Sequence, residues 1–203
     1  IDLTDLKAKL TKSPSNTVAA FLVQSLAGYF VQQPMEDINK ICRQNNCLVI
    51  EDISGSIGFL PSYGSDIKVC SFGKDKLINL GTGGCLSCKD DFLTKFAEQL
   101  APTLRLVQSL FDTALLLPKI IALKSRTTFL SAKAQKIKSD LAHLPLLHRE
   151  SPALNVVIAF QHDTEKQEIS AYCVHHSYEY TVCPRYLRVR SPAVSIEVKR
   201  LQN

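Results

Sequence analysis

The sequence predicts an α/β protein with a parallel-rich sheet flanked by helices, followed by a smaller C-terminal α+β lobe. Two apolar strand-like runs, Cys47 to Ile50 and Ile67 to Phe72, each end in polar residues. Between the N-terminal region and the first run, the pattern from Pro34 to Asn46 predicts a helix that connects parallel strands. After Ser151 the sequence consists of short strand-like runs separated by polar turns, a pattern typical of a small α+β unit.

The N-terminal elements follow in order. Leu3 to Leu10 predicts a short amphipathic helix, and Ser13 to Asn16 predicts a turn. Thr17 to Gln24 predicts a buried strand. The predicted helix from Pro34 to Asn46 has proline at its start and acidic residues in its first turn. Both residue types are favoured at the N-terminus of a helix. The run Cys47 to Ile50 is continuously apolar, as expected of a strand buried on both faces.

The middle of the chain is predicted to be mostly helical after one further strand. Cys85 to Ser87 predicts the strand, and Asp90 to Leu100 predicts a helix with acidic residues at its start. The segment from Leu104 to Leu123 predicts a helix pair, broken at Pro118 and buried at a domain or subunit junction. Another helix is predicted from Ala132 to Leu144, with a solvated face formed by Lys133, Lys136, Lys138 and Asp140.

The C-terminal lobe is predicted to consist of short strands. The four predicted strands are Asn155 to Phe160, Ile169 to Val174, Tyr178 to Val182 and Tyr186 to Val189. Three arginines in this lobe could bind a carboxylate or a phosphate, although surface charge is the favoured interpretation: Arg185, Arg188 and Arg190. The boundary between the two parts is placed between residues 125 and 126, which gives the ranges 1–125 and 126–203.

Composition narrows the class of protein. The 203 residues are 45% hydrophobic and 21% charged, which is enough to bury a sizeable core. The net charge of +5 is spread along the chain, and this argues against a nucleic-acid-binding protein. Charged residues interrupt Leu104 to Leu123, so no membrane span is expected. Seven cysteines, odd in number and mostly inside apolar runs, indicate reduced thiols and a cytoplasmic protein.

Two other groups of residues have the types that metals prefer. Cys85 and Cys88 have the spacing of a metal-binding or redox pair, but no second pair follows at the distance of a zinc ribbon. His175 and His176 are adjacent, and on the predicted strand they would face opposite ways. We therefore expect no metal site.

Polar residues follow both central strands, at the point where each strand ends. Glu51 and Asp52 come after the first strand, while Ser71 and Lys76 come with the second. Ligands of open α/β sheets bind outside the carboxyl ends of the strands, so these side chains are expected to converge on one crevice. An acid after a strand is common in any α/β protein, and it is the combination with the lysine loop that favours a functional role.

At these residues the sequence resembles the DegT/DnrJ/EryC1/StrS family of sugar aminotransferases, within the fold-type I enzymes that use pyridoxal 5′-phosphate. The family pattern E-D-x-[AS]-x-x-x-G matches the segment from Glu51 to Gly58. The pattern S-F-x-x-x-K-x-x-x-x-G-x-G-G matches the segment from Ser71 to Gly84. The resemblance is specific from about Thr17 to Asp91. After Asp91 the sequence is compatible with the family but is not specific to it.

The resemblance implies a role for four side chains. Lys76 would be the Schiff-base residue, and Asp52 would keep the pyridine nitrogen of the cofactor protonated. Ser71 would hold a phosphate oxygen, and Ser54 would lie under the ring. Lys74 is the rival lysine, but it fits the family spacing poorly and is expected to be a solvated loop charge.

The resemblance also implies an activity and partners. The expected activity is amino transfer from an amino-acid donor to a keto sugar carried on a nucleotide, in a homodimer with active sites at the interface. The chain is expected to match the later part of such an enzyme, because the family's phosphate-binding turn and stacking aromatic lie upstream of the region matched here. Glycine stands at positions 55 and 73, where relatives often have Gln or His. Two alternatives therefore stay open: a non-transaminating, dehydratase-like enzyme and an inactive remnant or partner subunit of the same fold.

Overall fold

A computed structural model describes residues 1–14, 17–100, 113–185 and 189–202. The described helices are α1 (Leu3–Lys12), α2 (Met35–Gln44), α3 (Asp91–Leu100), α4 (Thr113–Ile121), α5 (Leu123–Asp140) and α6 (Asp163–His175). The described strands are β1 (Ala20–Gln24), β2 (Leu26–Ala27), β3 (Val31–Gln32), β4 (Leu48–Asp52), β5 (Ile67–Ser71), β6 (Gly84–Cys88), β7 (Leu146–Leu147), β8 (Val156–Ala159), β9 (Tyr180–Cys183) and β10 (Ala193–Ile196).

The first sheet has the order β1-β4-β5-β6. Its first three strands are parallel, and β6 is antiparallel to β5. The register places Gln24 beside Asp52, and Asp52 beside Val69, so the carboxyl ends of the parallel strands lie at one edge. A mixed, mostly parallel sheet with flanking helices is the architecture that the sequence predicts for this part of the chain.

One face of the first sheet is covered by α1 and α2. Met35, Ile38 and Cys42 of α2 pack with Val23 and Val49 of the sheet in one buried cluster. These α2 residues recur every three or four positions, so one face of the helix meets the sheet. The prediction that β4 is buried on both faces is wrong, since its burial alternates along the strand and only one face is covered.

The opposite face of the first sheet is open among the described residues. Leu22 retains 67% of its surface, and Leu86 retains 51%. The expectation that β1 is a buried strand is therefore also wrong, because only Val23 within it is buried. On α3, which follows β6, Phe92 and Phe96 are 77% and 52% exposed. These large apolar side chains are thus exposed on β1, β6 and α3.

The second sheet is antiparallel, with the order β7-β8-β10-β9. Its strands pack against α5 and α6 through a buried cluster that includes Leu130, Ile158 and Ile196. The same cluster contains Phe72 and Ile78 from the loop after β5. The loop that carries Lys76 is thus anchored against the core of the C-terminal part.

One predicted strand of this lobe is a helix. Ile169 to Val174 lies within α6, where Ile169 and Cys173 are buried four residues apart on one face. The helix begins with the carboxylate of Glu165 accepting the backbone N–H groups of Gln161 and His162, at 2.7 and 3.2 Å. These hydrogen bonds satisfy backbone groups at the start of the helix. The apolar, strand-like composition of the segment had instead predicted a strand. The predicted strands Asn155 to Phe160 and Tyr178 to Val182 correspond to β8 and β9.

The helical middle of the chain also differs from expectation. Pro118 lies inside α4 rather than ending it, so the prediction that it breaks the helix is wrong. Within the single chain the helix exposes Leu115, Leu117, Ile120 and Ile121, and its burial at a domain or subunit junction stays a prediction. The predicted helix from Ala132 begins earlier, since α5 starts at Leu123. Lys138 is buried and not solvated, because its ammonium donates to the carbonyl oxygens of Arg149 and Ser151 at 2.8 and 2.6 Å. None of the described helices is long and apolar enough to cross a membrane.

Some predictions lie outside the described residues, wholly or in part. They are the turn at residues 15–16, the first half of the predicted helix pair at residues 104–112, and the strand at residues 186–188 with Arg188. The other two arginines of that group, Arg185 and Arg190, are exposed.

Candidate cofactor-binding site

Asp52 is the last residue of β4, and two donors orient its carboxylate. The side-chain amide of Gln24, opposite it on β1, donates to Oδ2 at 3.1 Å. The backbone N–H of Ser54 donates to Oδ1 at 2.9 Å. Each oxygen therefore accepts one fixed hydrogen bond and keeps further acceptor capacity for a ligand.

Ser54 connects the ends of the two central strands. Its hydroxyl oxygen accepts the backbone N–H of Ser71 at 2.8 Å. The hydroxyl oxygen of Ser71 in turn accepts the backbone N–H of Gly73 at 3.2 Å. The hydroxyl protons of both serines are thus available to donate elsewhere, because the oxygens act as acceptors in these bonds.

Glu51 points to the other side of the sheet. Its carboxylate is buried, and it accepts the hydroxyl groups of Ser25 and Ser65, each at 2.7 Å. The expectation that both acids face the ligand crevice is therefore wrong for Glu51, because adjacent residues of a strand face opposite ways. Glu51 instead links the end of β1 to the loop that precedes β5.

Lys76 lies on a tight turn after β5. Its backbone N–H donates to the carbonyl oxygen of Gly73 at 3.3 Å, and Asp75 has a left-handed backbone with a φ of 65°. The loop closes with Gly81 and Gly83, whose φ values of 82° and 81° suit glycine.

Asp52 and Lys76 both act electrostatically on one residue, Cys70 of β5. The pKa of Cys70 is raised to about 12, mainly by burial and also by Cys85 and Asp52, whereas Lys76 acts to lower it. The carboxylate and the ammonium group are therefore both near the end of β5. Burial also lowers the pKa of Lys199, a lysine near Lys76, and the charge of Lys76 lowers it too, against the opposing effect of Glu197.

A cavity of about 570 Å³ opens beside these residues. Its lining consists of Asp52, Ser54, Val69, Cys70, Ser71, Gly83, Gly84, Cys85 and Leu86. Three of the four predicted site residues therefore share one cavity, while Lys76 is not among the lining residues. Gly84 is required by the backbone itself, since a Cβ there would lie 2.6 Å from the carbonyl oxygen of Cys70.

The donor set fits a pyridoxal phosphate molecule. A carboxylate suits a protonated ring nitrogen, and serine hydroxyl groups suit phosphate oxygens. A lysine near the carboxylate suits the aldehyde. The cavity volume lies within the range usual for cofactor sites.

The sequence did not reveal the residues that hold this site in shape. Gln24 and Ser65 belong to no pattern that we recognised, yet each bonds to one of the two acids. Only the register of β1 against β4 could have indicated Gln24, because that register places its side chain beside Asp52.

The Cys85–Cys88 pair and the His175–His176 pair, whose residue types metals prefer, lie on different kinds of element. Cys85 and Cys88 lie three positions apart on β6, so their side chains face opposite sides of the sheet. His175 and His176 lie at the end of α6 and not on a strand, and their rings are 4.8 Å apart in an edge contact. Among the described residues no group of three or more His, Cys, Asp or Glu side chains could hold a metal ion.

Solved structures with a similar fold belong to the pyridoxal phosphate enzymes. A structure of SPT with PLP as an internal aldimine matches with a TM-score of 0.73 and 11% identity, over 96% of this chain and 53% of that chain. The serine palmitoyltransferase of Sphingomonas wittichii matches with a TM-score of 0.67, 11% identity and the same two coverages. The chain thus has the fold of these enzymes and spans about half of their length.

A third similar structure is a DegT DnrJ EryC1 StrS aminotransferase from Brucella abortus. It matches with a TM-score of 0.71 and 17% identity, over 97% of this chain and 64% of that chain. The sequence model of the DegT/DnrJ/EryC1/StrS aminotransferase family matches residues 1–106. The chain belongs to this family, and the expected cofactor, pyridoxal 5′-phosphate, is the one that the family and fold support. A search of curated protein sequences found no match.

Proposed function

We propose that this chain forms the cofactor-binding part of an aminotransferase that transfers an amino group from an amino acid to a keto sugar carried on a nucleotide. The observation that carries the proposal is the link from Asp52 through Ser54 to Ser71, which brings the ends of two strands into one cavity. The family match covers the same segment of the chain. When bound, pyridoxal phosphate supplies an electron sink for the carbon atom that loses its proton.

Asp52 has the role of holding the ring nitrogen protonated. Its two oxygens are oriented by Gln24 and by the backbone N–H of Ser54. Both are neutral donors, so neither takes the place of a cationic partner. A carboxylate next to a protonated nitrogen raises the proton affinity of that nitrogen.

Lys76 has the roles of covalent attachment and of proton transfer. Its amine must be neutral to attack an aldehyde. With the cofactor in place, the Lys76 amine would be the base that moves a proton at the substrate carbon.

Ser71 and Ser54 have the role of binding anionic and polar edges of the cofactor. The Ser71 hydroxyl oxygen is fixed by Gly73, which leaves its proton free to donate to a phosphate oxygen. Ser54 is 7% exposed, and its oxygen is fixed by Ser71 at the floor of the cavity. Both positions are therefore set before any ligand binds, and this reduces the entropic cost of binding.

The partners in this proposal are a second copy of the chain, a keto nucleotide sugar and an amino-acid donor in the cytoplasm. The exposure of the large apolar side chains Leu22, Leu86, Phe92 and Phe96 supports a macromolecular partner. The domain division at residues 125 and 126 remains part of the proposal. A second candidate function is a dehydratase-like reaction on the same cofactor, which the glycines at positions 55 and 73 favour because they lack the side chains that relatives have there.

The test of the proposal is to locate the covalent adduct. The chain is incubated with pyridoxal phosphate, reduced with borohydride and mapped by peptide mass spectrometry. We expect the adduct on Lys76 in the wild type and in Lys74→Ala, and its loss in Lys76→Ala. Lys74 is a matched control because it lies two residues away on the same turn. An adduct on Lys74, or none on Lys76, would show that the proposed attachment residue is wrong.

A further inference from the structure

The turn that carries Lys76 has an unfavourable backbone conformation at the preceding residue. Asp75 has a φ of 65°, in the left-handed region that side chains rarely adopt. Asp and Asn tolerate this region better than other residues, but they still prefer other conformations. The backbone hydrogen bond across the turn, from the Lys76 N–H to the carbonyl oxygen of Gly73, is long at 3.3 Å. The turn therefore depends on contacts outside itself.

Arg200 provides such a contact from the C-terminal part of the chain. Its Nε lies 3.8 Å from Oδ2 of Asp75, which is an ion pair and too long for a hydrogen bond. The same Nε is buried and lies 3.9 Å from Oε2 of Glu197. Its Nη1 donates to Oε2 of Glu179 at 2.8 Å. One guanidinium group thus joins the Lys76 turn to two carboxylates of the lobe.

Arg200 is itself held rigidly. It lies on a short 3₁₀ turn, Val198–Arg200, whose carbonyl groups are anchored to α5 by Arg126. The two guanidinium nitrogens of Arg126 donate to Lys199 O at 3.0 Å and to Leu201 O at 3.2 Å. Glu197, at the other end of this turn, has a side chain that is 1% exposed and accepts from Asn155 at 2.8 Å. Arg200 therefore projects from a fixed base.

We infer that Arg200 is a positioning residue that holds the Asp75 turn and thereby sets the place of Lys76 in the candidate site. The inference rests on the proposed function for the role of Lys76, but the contact with Asp75 stands independently of it. It assigns to the C-terminal lobe a part in the cofactor chemistry.

Hydrogen exchange measured by mass spectrometry tests the contact without any cofactor. Arg200→Met and Asp75→Asn are compared with the wild type, and exchange is followed in a peptide that covers residues 72–80. The Asp75→Asn variant removes the charge, keeps a residue that tolerates positive φ, and leaves the contacts of Arg200 with Glu179 and Glu197 in place. Arg190→Met is the matched control, because Arg190 is an exposed arginine of the same lobe.

The pair is partly exposed, with side chains 29% and 36% accessible, so the expected effect is modest. We expect exchange in this peptide to become about threefold faster in Arg200→Met and in Asp75→Asn. Exchange should be unchanged in Arg190→Met. Unchanged exchange in Asp75→Asn would overturn the inference even if Arg200→Met proved poorly folded.

A second readout separates positioning of Lys76 from simple stabilisation. After incubation with pyridoxal phosphate and borohydride reduction, the ratio of modified to unmodified Lys76 is measured. We expect this ratio to fall by about threefold in Asp75→Asn, in proportion to the loosening of the turn. Faster exchange with an unchanged ratio would overturn the positioning role. An absence of Lys76 adduct already in the wild type would instead refute the proposed function, and the exchange result would still decide whether Arg200 holds the turn.

Discussion

Ser54 and Ser71 are seventeen residues apart in sequence, and the hydroxyl oxygen of the first accepts the backbone N–H of the second at 2.8 Å. Ser54 follows β4, whereas Ser71 ends β5, so the bond ties together two neighbouring strands at the edge where the cavity opens. The backbone N–H of Ser54 also donates to Asp52. A single serine thus fixes the relative position of the carboxylate and the second hydroxyl.

Replacing Ser54 with alanine should destabilise the protein. The change leaves the Ser71 N–H without its acceptor in a partly buried place, and an unsatisfied group of this kind costs about 1–3 kcal/mol. We expect urea denaturation to show a loss in that range. Ser139→Ala, at an exposed position of α5, should change the free energy of unfolding by no more than about 0.5 kcal/mol. Equal stability of the two variants would contradict the structural role of Ser54.

The motif predicted the position of the cavity but not its support. Asp52, Ser54 and Ser71 follow strands whose apolar runs are visible in the sequence, so their convergence could be expected from the geometry of parallel sheets. Gln24 bonds to Asp52 through a pairing between strands 28 residues apart in sequence. No local pattern contains that information, because the register of β1 against β4 is set by packing on α1 and α2.

The buried carboxylate of Glu51 leads to a second prediction. Ser65 is 4% exposed and donates to Glu51 Oε2 at 2.7 Å, so Ser65→Ala leaves one carboxylate oxygen without that donor. Hydrogen bonds to charged groups contribute about 1.5–3 kcal/mol, and we expect a loss of that size in the free energy of unfolding. Ser62→Ala, an exposed position of the same loop, is the control. A similar small change in both variants would show that Glu51 does not depend on Ser65.

The helix α6 contains the one segment for which the wrong type of element, a strand, was predicted, and this error has a local cause. Its segment is rich in β-branched and aromatic residues, which favour strands when they are considered without their partners. The spacing of Ile169 and Cys173, four residues apart and both completely buried, is instead that of a helix face. Packing against the second sheet thus overrides the intrinsic preference of the segment.

Buried thiols should make the protein sensitive to alkaline pH. Burial raises the pKa of Cys173 from 9.0 to about 11, so the folded state keeps this thiol protonated where the unfolded chain releases the proton. This stabilisation is complete below pH 9 and is lost as the pH rises from 9 to about 11. Cys42 and Cys70, with pKa values raised to about 12, act in the same direction.

The measurement is urea denaturation at about pH 8 and about pH 10.5, where linkage predicts a fall in stability. Cys173→Ala should lower stability at both pH values but should reduce the fall between them by up to about 2 kcal/mol. Leu130→Ala truncates the same core without removing a titrating group, so it should leave the fall unchanged. An identical fall in Cys173→Ala and the wild type would show that Cys173 does not contribute to the pH dependence.

The final prediction concerns the charge of Asp52. Asp52→Asn should fold normally, because its amide oxygen can still accept the Ser54 N–H while the Gln24 amide rotates to accept from the new NH₂ group. The neutral amide cannot hold a pyridine nitrogen protonated, so turnover by the assembled enzyme should fall by orders of magnitude while bound cofactor is retained. Gln24→Ala is the control, since it removes one donor and keeps the negative charge; it should lose far less activity. Turnover and cofactor absorbance are measured together on the same samples. Full turnover in Asp52→Asn would remove this carboxylate from the chemistry, whereas equal losses in both variants would show that its orientation, and not its charge, is what the reaction requires.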